Sequence, residues 1–171
     1  YEGEPIVDKK VYISEIIKII GDRKLSLVIE PGRSIVGEAG LLITKIINIK
    51  ESSTKSFAIT DAGMNDMLRP PLYEAFHSII EVVKKSIGKT SYDVVGPICE
   101  TADFLGKDRK LSIAQGDFLA VENVGAYGFV LSSNYNTRPK IDEYIISNNK
   151  VNKIRKRDTI DQILENEIDF L

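Results

Sequence analysis

The stretch Ile29-Glu30-Pro31-Gly32-Arg33-Ser34 is the one around which the chain is organised. It follows an apolar run, residues 25–29, that is typical of a buried strand and is ended by proline and glycine. Gly32 allows a backbone N–H to approach an anion closely, and Arg33 supplies a planar, permanently charged fork for phosphate or carboxylate. Ser34 is placed to cap a following helical turn. The residues alone leave two interpretations open, an anion site and an ordinary turn.

A helix is predicted upstream of this strand. Residues 8–20 carry apolar side chains at roughly helical spacing, with Asp8 as a candidate N-cap and Gly21 at the end. A helix followed by a strand is half of a βαβ unit, which indicates a parallel sheet. Because no strand precedes the helix, we expect the first part of the chain to be the end of an α/β domain whose beginning is absent.

From Leu41 onward the pattern changes to short strands separated by turn residues. Strands are predicted at 41–50, 56–60, 77–83, 93–97, 118–122 and 143–150, the last running into the turn Asn148-Asn149. Such a series indicates an antiparallel sandwich or barrel. Short helices are expected at 68–76 and 124–131, a charged hairpin turn at 107–110, and a C-terminal helix at 159–168 capped by Thr159.

Length and composition limit the class of protein. The chain has 171 residues, is 43% hydrophobic and has a net charge of −2, which fits one large or two small globular domains and gives no reason to expect nucleic acid or a membrane as partner. No apolar run is long enough to span a bilayer, and the first five residues do not resemble a signal peptide. One cysteine and one histidine argue against a disulfide and a zinc site. We expect a cytoplasmic protein without a metal.

The segment Arg69-Pro-Pro-Leu-Tyr73 contains a candidate carboxylate-binding pair. Arg69 and Tyr73 are four residues apart, so on a helix they share a face. A guanidinium beside a phenol suits recognition of a carboxylate. An ordinary surface pair remains the alternative.

Three further positions could carry chemistry. Cys99 stands beside Glu100 after a Gly-Pro turn, and a thiol in a polar loop is a better proton donor or nucleophile than one inside a strand. A lone cysteine is otherwise a small buried hydrophobe. Tyr127 lies between small residues, which leaves room for a flat ligand, although a core tyrosine is equally compatible. His77, at the start of an apolar strand, is interpreted as structural.

The order of these segments carries a resemblance to a known family. Glu30-Pro-Gly-Arg33, Asp61-Ala-Gly-Met-Asn-Asp-Met-Leu-Arg-Pro-Pro-Leu-Tyr73, Gly96-Pro-Ile-Cys-Glu-Thr-Ala-Asp103 and Gly125-Ala-Tyr-Gly128 together resemble the diaminopimelate decarboxylases. That family belongs to the pyridoxal-phosphate decarboxylases with an alanine-racemase-like fold. The stretch from Asn134 to Pro139 agrees as well, and the resemblance covers the C-terminal part of the family's length.

The resemblance implies a mixed α/β fold. Residues 1–37 would be the last helix and strand of a (β/α)8 barrel, and residues 38–171 a mainly antiparallel β sandwich or barrel domain with short helices. It also implies pyridoxal 5′-phosphate as cofactor, a homodimer with a shared active site, and decarboxylation of meso-2,6-diaminopimelate to L-lysine and carbon dioxide. No lysine here matches the family's Schiff-base lysine, so we expect the chain alone to be inactive.

The resemblance also implies a role for each candidate side chain. The cofactor would be bound by Glu30, Pro31, Gly32, Arg33 and Tyr127. The substrate would be bound by Arg33, Arg69, Tyr73, Glu100 and Tyr127. Cys99 would be the proton donor, and Cys99 and Glu100 would act in the partner subunit's site.

Two other interpretations stay open. An ornithine- or arginine-type decarboxylase resembles the chain at Glu30–Arg33 and Gly125–Tyr127, but carries aspartate where this chain has Glu100 and lacks the Leu-Arg-Pro-Pro-Leu-Tyr block. A non-catalytic β domain for binding or dimerisation is favoured by the missing lysine. The intact substrate residues count against that second interpretation.

Overall fold

Strands dominate the regular structure of the computed structural model, which describes residues 7–86 and 88–167. In that part of the chain the strands are β1 Leu41–Glu51, β2 Ser56–Thr60, β3 Ile79–Glu81, β4 Thr90–Val95, β5 Phe104–Leu111, β6 Phe118–Glu122, β7 Glu143–Ser147 and β8 Lys150–Arg155. The helices are α1 Lys9–Ile20, α2 Arg69–Tyr73 and α3 Ile160–Leu164, with short 3₁₀ turns at Gly32–Ser34, Gly37–Ala39, Phe129–Leu131 and Tyr135–Thr137. The predicted mixed α/β composition is confirmed.

Six strands form one curved sheet in the order β3-β6-β1-β2-β4-β5, and β7 and β8 form a separate hairpin. The two edge strands approach each other, because the N–H of Ser112 donates to Glu81 Oε1 at 2.8 Å. The sheet is therefore nearly closed into a barrel. Its interior holds the fully buried side chains of Ile46, Val94, Leu105, Leu119 and Val121.

Alternation along β1 explains which face is buried. Leu42, Thr44 and Ile46 point inward while their neighbours stay exposed, as the two-residue period of a strand requires. The pairings in the sheet are antiparallel except that of β2 with β4, which is parallel. The long connection from β2 to β4 carries α2 and β3, and with α2 the candidate carboxylate-binding pair.

Most of the predicted strands are confirmed. Those at 41–50, 56–60 and 118–122 agree within one residue, while β4 starts earlier than predicted and ends before Gly96. The prediction at 77–83 shrinks to β3, and that at 143–150 becomes β7 and its turn. Asn148 and Asn149 have φ of 50° and 59°, as a tight hairpin turn requires, and the chain returns as β8, which was not predicted.

Two predictions in the sheet domain are wrong. Residues 107–110 are not a hairpin turn but part of β5, which the buried Leu105 and Leu111 fix in the sheet while Lys107, Asp108 and Lys110 are exposed. Residues 124–131 are not a helix beyond the 3₁₀ turn at Phe129–Leu131. Tyr127 has φ of +62° there, which no α-helix accommodates.

Of the two elements predicted at the start of the described chain, the helix is present and the strand is not. Helix α1 is confirmed, since Asp8 Oδ1 accepts the N–H groups of Lys10 and Val11 at 2.8 and 3.2 Å. The buried strand at 25–29 is wrong, because this segment pairs with no described strand and Val28 is 84% exposed. The division at residues 37 and 38 remains a prediction.

Helix α3 is shorter than the predicted 159–168, and residue 168 lies outside the described residues. The predicted cap is present, with Thr159 Oγ1 accepting the Gln162 N–H at 3.2 Å. The first five residues, interpreted as no signal peptide, also lie outside the described part. None of the helices in the described ranges has the length and apolar character needed to cross a membrane.

Candidate active site

The turn at Glu30–Arg33 lies against Tyr127. Gly32 has φ of +57°, a backbone conformation that favours glycine, and a Cβ atom there would be 3.6 Å from the Tyr127 hydroxyl. Ser34 does not cap a helix as predicted, since its hydroxyl donates instead to the Pro31 carbonyl at 3.0 Å. Glu30 is exposed and Arg33 is half-buried. The phenol of Tyr127 therefore marks one side of the turn.

Tyr127 reaches this turn because the backbone beside it, at Gly125, packs tightly against another part of the chain. A Cβ on Gly125 would lie 1.9 Å from the Val36 carbonyl oxygen, so only glycine fits there. The Gly125 N–H donates to the Gly37 carbonyl at 3.0 Å. The positive φ of Tyr127 is unfavourable for a bulky residue and is imposed by these contacts. The residue is 40% exposed, so it is not a core tyrosine.

The guanidinium of Arg69 lies near two aromatic rings. Its guanidinium carbon lies 5.2 Å from the ring centroid of Tyr73 and 5.3 Å from that of Tyr127. Helix α2 is preorganised by prolines at its first turn, which holds Arg69 and Tyr73 on one face as predicted. Through Tyr127, the candidate carboxylate-binding pair is thus continuous with the turn at Gly32.

His77 is fully buried, and its Nδ1 donates to the Glu122 carbonyl oxygen at 2.9 Å, which agrees with a structural role. Burial lowers the pKa of His77, and the positive charges of Arg69 and Arg33 lower it further. Tyr127 contacts the Arg69 guanidinium and also the turn that carries Arg33. We call Arg33, Arg69, Tyr73 and Tyr127 the cationic cluster, and its charge makes it a candidate site for anions.

Cys99 and Glu100 lie on an exposed turn after β4. The buried Asp103 holds this turn, since its two carboxylate oxygens accept the N–H of Met64 at 2.6 Å and that of Ile98 at 2.5 Å. Burial raises the pKa of Asp103, against the effect of these two hydrogen bonds. Glu100 Oε1 accepts the hydroxyl of Tyr135.

The loop Asp61–Asp66, which we call the hub loop, is hydrogen-bonded both to Asp103, beside the Cys99 turn, and to Arg138. Arg138 donates from Nε to Asn65 Oδ1 at 3.2 Å and from a terminal nitrogen to the Asp61 carbonyl at 2.6 Å. Asp66 Oδ2 accepts the Gly63 N–H at 3.0 Å, and burial raises the pKa of Asp66. The hub loop therefore connects the Cys99 turn with the segment that carries Tyr135.

Sequence reasoning did not single out Asp103, Tyr135 or Arg138. Asp103 ends one of the four segments that carry the resemblance, and the other two lie in the agreeing stretch Asn134–Pro139. Their position in these segments was the only sequence feature that pointed to the three residues. It does not reveal which distant segments they contact. Over residues 7–86 and 88–167, no group of three or more His, Cys, Asp or Glu side chains is arranged to hold a metal ion.

Replacing Asp103 with asparagine is expected to cost about 1–3 kcal/mol of unfolding free energy. The amide keeps one acceptor oxygen and turns its NH₂ group toward one of the two backbone N–H donors, which is then left without an acceptor. Urea unfolding at neutral pH, followed by tyrosine fluorescence, measures the change. Asp22→Asn, an exposed carboxylate replaced in the same way, is the control, and equal midpoints for the two variants would contradict the role of Asp103.

The described geometry defines a domain class: a curved β sheet that carries the cationic cluster on its connections, with an exposed thiol and carboxylate on the turn after β4. The family model for the C-terminal sheet domain of pyridoxal-dependent decarboxylases matches residues 7–125. The chain belongs to this family.

Relatives within the family are similar over nearly the whole chain. A diaminopimelate decarboxylase from Neisseria meningitidis serogroup A is 44% identical over 98% of this chain and 41% of its own length. One from Pseudomonas aeruginosa is 47% identical over 91% of this chain and 38% of its own length. The chain thus spans about two fifths of the length of these curated relatives.

A solved structure shows the same fold. The diaminopimelate decarboxylase from Helicobacter pylori, complexed with L-lysine, superposes with a TM-score of 0.90 and 41% identity over 96% of this chain and 41% of that one. The predicted family and sheet-domain fold are therefore confirmed, and pyridoxal phosphate is the cofactor that the family uses.

Proposed function

We propose that this chain is the C-terminal sheet domain of a diaminopimelate decarboxylase, which converts meso-2,6-diaminopimelate to L-lysine and carbon dioxide. The observation that carries the proposal is the cationic cluster, in which Arg69 lies between Tyr73 and Tyr127 and Tyr127 borders the turn at Gly32. The names of relatives at 44% and 47% identity support the same substrate.

The substrate's chemistry matches the charges of the site. Diaminopimelate carries an ammonium and a carboxylate at each end, so the end that does not react needs a cation and an anion to bind it. Arg69 and Tyr73 supply a planar cation and a phenol for its carboxylate. Glu100 supplies the carboxylate for its ammonium. An ornithine-type substrate lacks the far carboxylate and would leave Arg69 without that ligand contact.

The residues around the turn fit the phosphate of pyridoxal phosphate. Gly32 allows the backbone to come close to the phosphate, and Arg33 supplies a cation for it. The Tyr127 hydroxyl lies beside Gly32. Glu30 and Pro31 shape the turn. When bound, the cofactor supplies an electron sink for the carbon that loses carbon dioxide. Arg33 also meets the carboxylate of the substrate at this end of the cluster.

Cys99 is the proposed proton donor to that carbon. Its thiol is exposed beside Glu100, on a turn fixed by Asp103, so it is available to a ligand that approaches from outside the sheet. Both side chains are proposed to enter the partner subunit's site in a homodimer. The compartment that we propose is the cytoplasm, in agreement with a single cysteine and no disulfide partner for it in the sequence.

Carbon dioxide release tests the proposal directly. The holoenzyme is expected to release carbon dioxide from meso-diaminopimelate and to use L-ornithine at least ~10²-fold less efficiently in kcat/KM, because ornithine leaves polar groups of the site unpaired. The chain by itself is expected to release none. Equal efficiency with both substrates would favour the ornithine-type alternative, and activity with neither in the holoenzyme would favour a non-catalytic module.

A further inference from the structure

Tyr135 contacts Glu100 through its hydroxyl, which donates to Oε1 of the carboxylate. Glutamate has several rotatable bonds, and Glu100 is exposed, so its carboxylate has many orientations unless a partner fixes one. A carboxylate has about four acceptor sites on its two oxygens. Accepting one phenol hydrogen bond therefore orients Glu100 and leaves it able to accept an ammonium.

The segment around Tyr135 is held in an unusual conformation. Asn136 and Thr137 have φ of +56° and +55°, and this is unfavourable for β-branched threonine in particular. Such strain persists only where the surroundings impose it. Two anchors do so on either side of Tyr135: the Ser133 N–H donates to the Asn65 carbonyl at 2.9 Å, and Arg138 binds Asn65 and Asp61.

Tyr135 and Glu100 are therefore attached to the same support. The hub loop holds the Tyr135 segment through Arg138, and it holds the Glu100 turn through the Asp103 carboxylate. The hydrogen bond to Glu100 and the negative charge of Glu100 raise the pKa of Tyr135. Its hydroxyl thus keeps its proton as a donor throughout the neutral range.

We propose that Tyr135 is a positioning residue that holds the Glu100 carboxylate toward the ammonium at the far end of the substrate. The inference rests on the proposed function, in which Glu100 binds that ammonium. Tyr135 acts through Glu100 and not on the reacting carbon, so its effect belongs to substrate selection.

Two ligands separate a positioning role from a general structural one. L-lysine carries the far ammonium and carboxylate, whereas 6-aminohexanoate is the same molecule without that ammonium. In the holoenzyme, Tyr135→Phe is expected to weaken competitive inhibition by L-lysine about three- to tenfold, as for one lost hydrogen bond, and to leave inhibition by 6-aminohexanoate unchanged. Tyr144→Phe is the matched control, since Tyr144 is 53% exposed and Tyr135 46%.

Glu100→Gln and the double variant complete the test. Glu100→Gln should show the same selective loss, and adding Tyr135→Phe to it should change nothing further, because the two residues act as a unit. If Glu100→Gln is selective and Tyr135→Phe is not, the positioning role fails while the proposed function stands. If Tyr135→Phe weakens both ligands equally, its role is only structural. If Glu100→Gln spares L-lysine, the role of Glu100 fails and the inference with it.

Discussion

Replacing Cys99 with alanine in the holoenzyme is expected to lower kcat for meso-diaminopimelate by about 10²–10⁴-fold, with little change in KM. A positioned acid that delivers a proton in the transition state contributes to the chemical step and not to ground-state binding. Because Cys99 lies on the surface of this chain and not in its core, alanine there should leave the stability of the sheet domain unchanged. The measurement is steady-state carbon dioxide release over a range of substrate concentrations.

Solvent deuterium gives a second readout for Cys99. If the thiol is the donor, lysine formed by the alanine variant in D₂O should carry deuterium with reduced stereochemical purity, because water then protonates either face. Cys99→Ser keeps the shape and supplies a weaker acid, so its kcat should lie between those of the wild type and the alanine variant. A kcat within about twofold of the wild type for Cys99→Ala is incompatible with a proton-donating role.

Replacing Arg69 with lysine is expected to lower kcat/KM for diaminopimelate about 10- to 100-fold. Lysine keeps the charge but loses the planar fork and the two ring contacts, which lie at 5.2 and 5.3 Å in the native cluster. Inhibition by L-lysine and by 6-aminohexanoate should weaken equally, because both ligands carry the far carboxylate. Tyr135→Phe, by contrast, is expected to weaken inhibition by L-lysine alone.

Arg23→Lys, at an exposed arginine outside the cationic cluster, is the control for this substitution. A change of less than threefold for Arg69→Lys would remove Arg69 from substrate binding. A loss of L-lysine inhibition that spares 6-aminohexanoate would place Arg69 at the ammonium and not at the carboxylate.

Sequence reasoning found the side chains of the cationic cluster because they lie within short segments of recognisable chemistry. The spacing of Arg69 and Tyr73 on a helix is local information, and it was predicted correctly. What brings Tyr127 to Arg69 is not local. It depends on Gly125 packing against the Val36 carbonyl, a contact between parts of the chain far apart in sequence.

The errors in the fold have the same origin. Residues 107–110 have the composition of a turn, but pairing with β4 makes them part of a strand. The apolar spacing of residues 124–131 indicates a helix, but tight packing imposes a positive φ on Tyr127. The parallel pairing of β2 with β4 and the buried carboxylate of Asp103 also leave no periodic signal in the sequence.

The order of strands in the sheet also bears on how the chain is made. Leu41 in β1 pairs with Glu122 in β6, and β2 pairs with β4, which follows it only after the long connection that carries α2 and β3. A ribosome adding about 5–20 residues per second needs several seconds to bring these partners out together. During that time the apolar face of β1 is without its neighbour, and folding dominated by such distant pairings is slow. The arrangement that places Arg69, Tyr73 and Tyr127 in one cluster thus leaves apolar strand surface of the nascent chain uncovered until β6 has been made, and such surface is prone to aggregation.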